Sequence, residues 1–237
     1  MREFEYVIVG AGIAGCSVSH FLSKYSKSVL LIDKNEDVAF GASGAAGAFL
    51  SPLLGKPNKF KDLVTKALNF SLSFYKENFP SDITSCGTCR IPKNKEDEEK
   101  FESYIPYMDF EYEKFEDGYL FPIGSVVNSY NICKNLSLNV EKLFNYDVNK
   151  IEKIDDLWYI NDEIKVKNLI LATGADISLI DEEYFDIRAV WGQKIDVKTS
   201  TEVSVNYHKD CSLSKSKKVN ENINLVSIGA THNRFNE

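Results

Sequence analysis

Residues 3–33 read EFEYVIVGAGIAGCSVSHFLSKYSKSVLLID, and this stretch decides the fold. Tyr6–Val9 is apolar on both faces, the texture of a buried parallel strand. Gly10, Gly12 and Gly15 follow in G-x-G-x-x-G spacing. From Ile13 to Tyr25, Ala14, Val18, Phe21 and Leu22 recur at helical spacing, and Val29–Ile32 is a second apolar strand that ends on Asp33. Strand, turn, helix and strand together make a βαβ unit of about 30 residues.

Each glycine has its own task in such a unit. Gly10 permits the tight turn out of the strand, Gly12 lets the backbone approach a pyrophosphate, and Gly15 lets the helix pack closely on the sheet. Free N–H groups and the partial positive charge at the helix N-terminus then hold the phosphates. Asp33 is placed to accept hydrogen bonds from ribose hydroxyls, and its charge disfavours a 2′-phosphate. The motif predicts a dinucleotide and, taken alone, does not separate FAD from NAD.

Working outward, a small-residue loop spans Gly41–Gly47. Asn58 to Phe79 is the longest helical pattern, with Phe60, Leu63, Val64, Ala67, Leu68, Leu72 and Tyr75 as one apolar stripe and Pro80 as its stop. From Ile83 to Val127 short aromatic strands are separated by the charged run Lys93–Lys100 and an Asp117-Gly118 turn, which predicts a separate antiparallel layer. Ser129–Leu136 reads as a short helix. Strand texture returns at Val140–Asn149, Leu157–Ile160 and Val166–Thr173, the last running into Gly174. Further strands are expected from Ile187 on, then a polar loop over Lys215–Asn224 and a last strand at Leu225–Gly229. The expected class is α/β. A Rossmann-like domain of parallel sheet and helices takes 1–82 and 128–187, and a β-rich substrate domain takes 83–127 and 188–237, so both are discontinuous in sequence.

Composition excludes several classes. With 43% hydrophobic and 27% charged residues the chain is an ordinary globular one, and its net charge of −7 gives no whole-chain attraction for a phosphate backbone. No stretch is long and apolar enough to span a bilayer. The N-terminal apolar run lacks the basic leader of a signal peptide, since Arg2 is followed by Glu3 and Glu5, so a cytoplasmic protein is expected. Five scattered cysteines suit a reducing compartment. Cys86-Gly-Thr-Cys89 is a lone C-x-x-C without a second pair or paired histidines, so it reads as structural and no metal site is expected.

The later segments carry a resemblance. Val7-Ile-Val-Gly-Ala-Gly-Ile-Ala-Gly15, Gly41-Ala-Ser-Gly44, Leu171-Ala-Thr-Gly-Ala175 and Arg188-Ala-Val-Trp-Gly-Gln193 together resemble the D-amino-acid oxidase superfamily of flavoproteins. Within it, Gly41 to Leu54, Gly118-Tyr-Leu-Phe-Pro-Ile-Gly124 and Ile228-Gly-Ala-Thr-His232 are similar to the FAD-dependent oxidase domain of the bifunctional proteins that make 5-methylaminomethyl-2-thiouridine in tRNA.

The resemblance implies FAD as cofactor and a set of contacts. Gly10, Gly12, Ile13, Ala14 and Gly15 take the pyrophosphate, and Asp33 with Lys34 takes the adenosine ribose end. Ala42, Ser43, Gly44, Gly47, Ala48 and Phe49 run beside pyrophosphate and flavin ring, where bulk would not fit. Val148 offers a main-chain contact to adenine. Ala172, Thr173 and Gly174 close over the ribityl and phosphate region, and Gly192 with Gln193 lies near the flavin. Trp191 departs from the family's usual arginine.

The implied reaction is oxidation of an amine: a hydride passes to the flavin, the imine hydrolyses, and oxygen restores the flavin. The implied substrate is carboxymethylaminomethyl-uridine in tRNA. Alternatives are a small-molecule glycine, sarcosine or D-amino acid oxidase, or a non-catalytic FAD-binding fragment that needs a second chain to complete the flavin site. Tyr107, Tyr119 and His208 fall in segments that could face a substrate, but no catalytic residue is assigned, since aromatic residues in strands are mostly core. Family members continue for roughly another hundred residues, a domain-scale piece. That piece carries a glycine-rich flavin-binding strand and a carboxylate-pairing arginine, so the chain is expected to be C-terminally truncated.

Overall fold

The computed structural model describes residues 1–180, 182–184 and 187–231. Of the described residues, Met1–Ala45 and Ser129–Val190 form one compact unit, and Ala46–Asn128 with Trp191–Thr231 forms a second. The boundaries differ from those expected. Residues 46–82, long helix included, belong to the second unit, and 188–190 belong to the first.

The first unit is built on a six-stranded sheet. Its order is Ile151–Ile154, Leu157–Ile160, Ile164–Leu171, Arg2–Val9, Val29–Ile32 and Glu141–Leu143. The last four run parallel, with Tyr6 opposite both Val29 and Asn168, while the first two add an antiparallel hairpin. Of the expected strand over Val140–Asn149 only Glu141–Leu143 pairs.

Parallel strands must be covered on both faces, and the two faces here differ. Val7, Val9, Leu30 and Ile32 pack with Val148, Ile160, Ile164 and Val166 on one side. Burying each such side chain stabilises the fold by about 1.5–3 kcal/mol. Ile8 and Leu31, also fully buried, point to the other side. The helix Ile13–Leu22 lies there and packs against Ser129–Leu136, which forms a helix over its expected span.

The first helix does not bury the side chains its apolar spacing suggests. Its buried residues are Gly15, Cys16 and Ser19, while Ala14 and Phe21 are exposed. Small side chains let the helix settle onto the sheet, and bulky ones would hold it off. Cys16 also meets Cys133 of the neighbouring helix, and that contact with burial pushes the Cys16 thiol far above its ordinary range.

The second unit holds two sheets. The larger runs in the order Lys194–Thr199, Asn224–Gly229, Ser212–Leu213, Asn206–His208, Thr88–Arg90, Gly118–Phe121 and Glu113–Phe115. Lys217–Lys218 pairs with Asn224–Gly229, so part of the expected polar loop is strand. The layer is mixed, because Asn206–His208 pairs parallel to Thr88–Arg90. The smaller sheet joins Phe49–Leu50, Ser125–Val127 and Ile83–Ser85.

Among the described residues, two α-helices complete this unit. Lys59–Asn78 starts where Asn58 accepts a hydrogen bond from Lys61 N at 3.0 Å. Leu68 and Leu72 are buried, whereas Phe60 and Leu63 of the expected stripe are exposed. The charged run Lys93–Lys100, expected as a connection, lies in a helix, Lys95–Tyr104. Its start is fixed by caps rather than by apolar spacing. Asn94 Oδ1 accepts from Asp97 N at 2.9 Å, Asp97 Oδ2 accepts from Lys93 N at 3.0 Å, and Glu96, Asp97 and Glu98 offset the dipole.

Candidate functional site

The glycine turn sits at the C-terminal end of the first unit's central strand. Gly10 has φ +108°, and a methyl group there would fall 2.3 Å from the Ala172 carbonyl oxygen. A methyl on Gly15 would fall 1.8 Å from the Gly10 carbonyl oxygen, so no side chain is compatible with the observed closeness of helix and turn. Gly12 caps the helix Ile13–Leu22 with its own backbone and no side-chain bond.

Two segments distant in sequence close around this helix start. Ile13 N donates to Ser43 Oγ at 2.9 Å, which brings the Ala42–Ala45 turn against the first helical N–H. Gly44 is as tightly placed, since a methyl there would lie 2.0 Å from the Ala39 carbonyl oxygen. Ala39 N in turn donates to the Ala11 carbonyl at 2.9 Å. Glycine turn and small-residue turn are one local structure.

Asp33 ends the second strand with its carboxylate fixed. Oδ2 accepts from Ala11 N at 2.6 Å, and Oδ1 accepts from Asn35 N and Asn35 Nδ2, each at 2.8 Å. A carboxylate has about four lone-pair positions, so capacity remains for further donors. Lys34 forms an ion pair of 3.5 Å with Asp176, just beyond Ala172, Thr173 and Gly174. Two Ser178 bonds lower the pKa of Asp176, and Lys34 adds to the effect. Thr173 Oγ1 donates to the Asp176 carbonyl, and Gly174 turns the chain with φ +70°. Val148 is buried in the core of the sheet's other face.

These features fit the ADP half of a dinucleotide: backbone open at a helix start, an oriented acid at the neighbouring strand end, and glycines where a Cβ has no room. Gly10, Gly12, Ile13, Ala14, Gly15, Asp33, Lys34, Ala42, Ser43, Gly44, Val148, Ala172, Thr173 and Gly174 all lie in the first unit. Gly47, Ala48, Phe49 and Gly192 lie in the second. There Ala48 has φ +52°, and the Phe49 ring occupies the place of a Gly47 side chain. Gly192 lies against Ala230 and Thr231, and Gln193 N donates to Thr231 Oγ1 at 3.0 Å.

Other candidates are placed as follows. Tyr119 is buried beneath Phe101 and Tyr112, with its hydroxyl bonded by Lys114 Nζ at 2.7 Å. Tyr107 lends its carbonyl to the buried Lys61. His208 Nδ1 lies 2.8 Å from Ser212 Oγ. His232 lies outside the described residues. Cys86 and Cys89 are free thiols, and burial raises both, Cys89 to about 11. Among the described residues no three metal-ligating side chains cluster, and no helix is long and apolar enough to cross a membrane.

One residue with a possible role was not singled out from the sequence. Arg90, at the end of the strand Thr88–Arg90, is half-buried and donates through Nη2 to Ser51 Oγ and the Pro52 carbonyl, both at 3.1 Å. Burial lowers its pKa. A lone arginine after a C-x-x-C gives no sequence signal of this.

Known proteins share this fold. The chain is 27% identical over 211 residues to the tRNA 5-methylaminomethyl-2-thiouridine biosynthesis bifunctional protein MnmC of Campylobacter concisus, covering 81% of this chain and 33% of that protein. The MnmC of Legionella pneumophila strain Corby is 23% identical over 224 residues, with 84% of this chain and 33% of that protein covered. The chain therefore spans about a third of the length of these curated relatives. Among solved structures, L-alpha-glycerophosphate oxidase of Mycoplasma pneumoniae with FAD bound superposes at TM-score 0.75 with 18% identity, covering 98% of this chain and 72% of that one. Glycine oxidase of Geobacillus kaustophilus gives 0.75 with 15% identity, covering 100% and 74%. The model of the FAD dependent oxidoreductase family matches residues 5–217, nearly the whole chain with both the glycine turn and the small-residue turn inside it, and the chain belongs to that DAO family.

Proposed function

We propose that this FAD-dependent oxidoreductase oxidises the C–N bond of an amine, with carboxymethylaminomethyl-uridine in tRNA as its substrate. The observation that carries the reading is the local structure uniting Gly10–Gly15, Asp33 and Ser43, together with the likeness to MnmC. In this reading Gly12, Ala14 and Gly15 offer backbone N–H groups to the pyrophosphate, and the Ser43 hydroxyl, held by Ile13 N, turns its proton toward the same phosphates. Asp33 receives the ribose hydroxyls, Val148 meets adenine through its main chain, and Ala172–Gly174 borders the phosphate and ribityl chain. In the same reading Gly47, Ala48, Phe49 and Gly192 lie beside the flavin ring. When bound, FAD supplies the hydride acceptor for the carbon beside nitrogen, and the imine hydrolyses to a free amine and, for this substrate, glyoxylate.

A partner domain or second chain completing the flavin site belongs to the same reading, and the one-third coverage of the relatives supports it. Purified protein supplied with FAD and carboxymethylaminomethylated tRNA should release glyoxylate in step with loss of the modification. Absence of glyoxylate, with FAD stoichiometrically bound, would refute the tRNA substrate. A second reading, oxidation of a free amino acid such as sarcosine, is favoured by the net charge of −7, which gives no pull on RNA. Peroxide from sarcosine with none from tRNA would establish it.

A further inference from the structure

The long helix Lys59–Asn78 of the second unit is apolar on two sides. Its inner side buries Lys61, Leu68 and Leu72. Phe60, Leu63, Ala67, Phe70 and Phe74 follow one another at steps of three, four, three and four residues, which sets them in one strip on the opposite side. Phe60 is 65% exposed, Leu63 63% and Phe70 58%, and Ala67 is exposed with them. Phe70 stacks on Phe74 with ring centroids 5.6 Å apart. Phe60 and Phe70 alone give water about 250 Å² of side chain. With Leu63 and Ala67 the strip reaches the size, about 300–600 Å², at which apolar patches often serve binding.

The spacing defines the shape that covers this strip. Steps of three and four average 3.5 residues, the period at which a second α-helix follows the first along its length. The helix is already held by its inner side, so its own folding does not call for the outer strip. A lipid surface would need no such register and favours lysines along the whole polar face.

The flanks define the charge of the occupant. Lys59 and Lys66, seven residues apart, run along one flank with Ser73, while Val64, Ser71 and Asn78 run along the other. Both lysines are exposed, and among the described residues neither forms an ion pair. Asp62 lies one column further from the strip, and Glu77 takes the next step of the spacing and ends it. Charges in these flanking columns choose the partner in paired helices. A second copy of this helix would bring lysine, serine and valine to the flanks and no acid.

We propose that the strip is the docking surface for an amphipathic α-helix of a partner polypeptide, with apolar residues at heptad spacing and acidic residues beside them. Leu63 and Phe70 anchor the occupant near the middle of the strip, and Lys59 and Lys66 select its acids. The surface lies wholly within the second unit and is independent of the substrate.

The test is fluorescence-anisotropy titration of the full chain with two labelled synthetic helices of about three heptads. Both carry leucine at the two seam positions of each heptad; one has glutamate and the other lysine in the flanking columns. The glutamate peptide should bind at least tenfold more tightly, and the gap should close as salt rises. Leu63→Asp should weaken that peptide at least tenfold with the thermal midpoint unchanged, because residue 63 already faces water. Replacing both Lys59 and Lys66 by Glu should reverse the preference between the peptides. Equal binding of the two peptides, binding of neither, binding indifferent to Leu63→Asp, or a preference that survives the charge reversal would overturn the proposal. Sedimentation equilibrium of the chain alone gives the last arm: self-association that Leu63→Asp removes would assign the strip to a second copy and overturn it as well.

Discussion

Ser43 Oγ receives the backbone N–H of Ile13 at 2.9 Å, across thirty residues of sequence. The hydroxyl occupies the helix start where a phosphate would be held, yet it does not compete with one. A serine oxygen can accept from Ile13 and donate its own proton to a phosphate at the same time. Ser43→Ala should therefore weaken FAD without abolishing it, by a factor of about 2–12, the equivalent of one neutral hydrogen bond of about 0.5–1.5 kcal/mol. Flavin fluorescence titration measures this directly, and unchanged affinity would separate Ser43 from the phosphates.

Gly15 is under a stricter constraint. A methyl group 1.8 Å from the Gly10 carbonyl oxygen meets backbone, which cannot rotate away. Gly15→Ala must push the helix Ile13–Leu22 off the sheet, at a cost of about 1–3 kcal/mol typical of overpacking, and lower the thermal midpoint accordingly. The same displacement moves the N–H groups proposed to hold the phosphates, so FAD affinity should fall further than in Ser43→Ala. A fully stable variant with normal FAD binding would show that helix and turn are not held this closely.

What was legible in the sequence follows from how local each signal is. Gly10, Gly12, Gly15 and Asp33 belong to one βαβ unit, where spacing alone fixes geometry, and Ser129–Leu136 carries its own helical period. Contacts between distant segments were not legible. Nothing in the sequence ties Ser43 to Ile13, Lys34 to Asp176, or Arg90 to Ser51. The helix Lys95–Tyr104 was missed because it has no buried residue, so apolar periodicity had nothing to register. The usable signal was Asn94 followed by Asp97. The first helix misled in the opposite sense, because a face of Gly15, Cys16 and Ser19 does not look like a packing face until the sheet beneath is known. Residues 46–82 follow the small-residue turn directly, so only contacts in space assign them to the second unit.

Asp33 has a structural role and a proposed binding role, and its two oxygens allow the roles to be separated. Asp33→Asn keeps one acceptor for Ala11 N or Asn35 while losing the negative charge. Asp33→Ala loses both, and leaves Ala11 N without its 2.6 Å partner. Hydrogen bonds to a charged group contribute about 1.5–3 kcal/mol each, so the alanine variant should be the less stable of the two. In the proposed reading ribose hydroxyls donate to the carboxylate, so both should bind FAD at least tenfold more weakly. Equal FAD affinity in wild type and Asp33→Asn would place the ribose elsewhere.

Lys61 and Asp109 test how buried charge is tolerated in the second unit. The Lys61 side chain is 4% exposed, and its Nζ lies 2.9 Å from Asp109 Oδ2, whose own side chain is 40% exposed. Removing the acid strands a buried ammonium with only the Tyr107 carbonyl, whereas removing the lysine leaves a carboxylate that water can reach. Asp109→Asn should thus cost more than Lys61→Met. The cost should be about 1–2 kcal/mol, well below that of breaking a fully buried pair, because Asp109 is partly solvated. Urea unfolding of the two variants decides it, and the reverse order would mean that the lysine is not charged in place.

Asp37 and Tyr130 give the first unit a predictable pH response. Tyr130 OH donates to Asp37 Oδ2 at 2.7 Å, and this bond, then that of Val38 N, holds the carboxyl below its usual range. The same bond raises the tyrosine hydroxyl, since the phenol proton is what Asp37 receives. For the acid, a folded pKa below the unfolded value of about 3.9 means the contribution is complete above that value. It is lost as pH falls through the lower folded pKa. For the phenol, a folded pKa above about 10 means the contribution is complete below that pH and lost as pH rises through the folded value. The difference in thermal midpoint between wild type and Tyr130→Phe should therefore be flat from about pH 5 to 9 and shrink on both sides. It should be small throughout, because both groups face solvent. A difference that persists unchanged at about pH 2 would show that Tyr130 acts through packing rather than through its bond to Asp37.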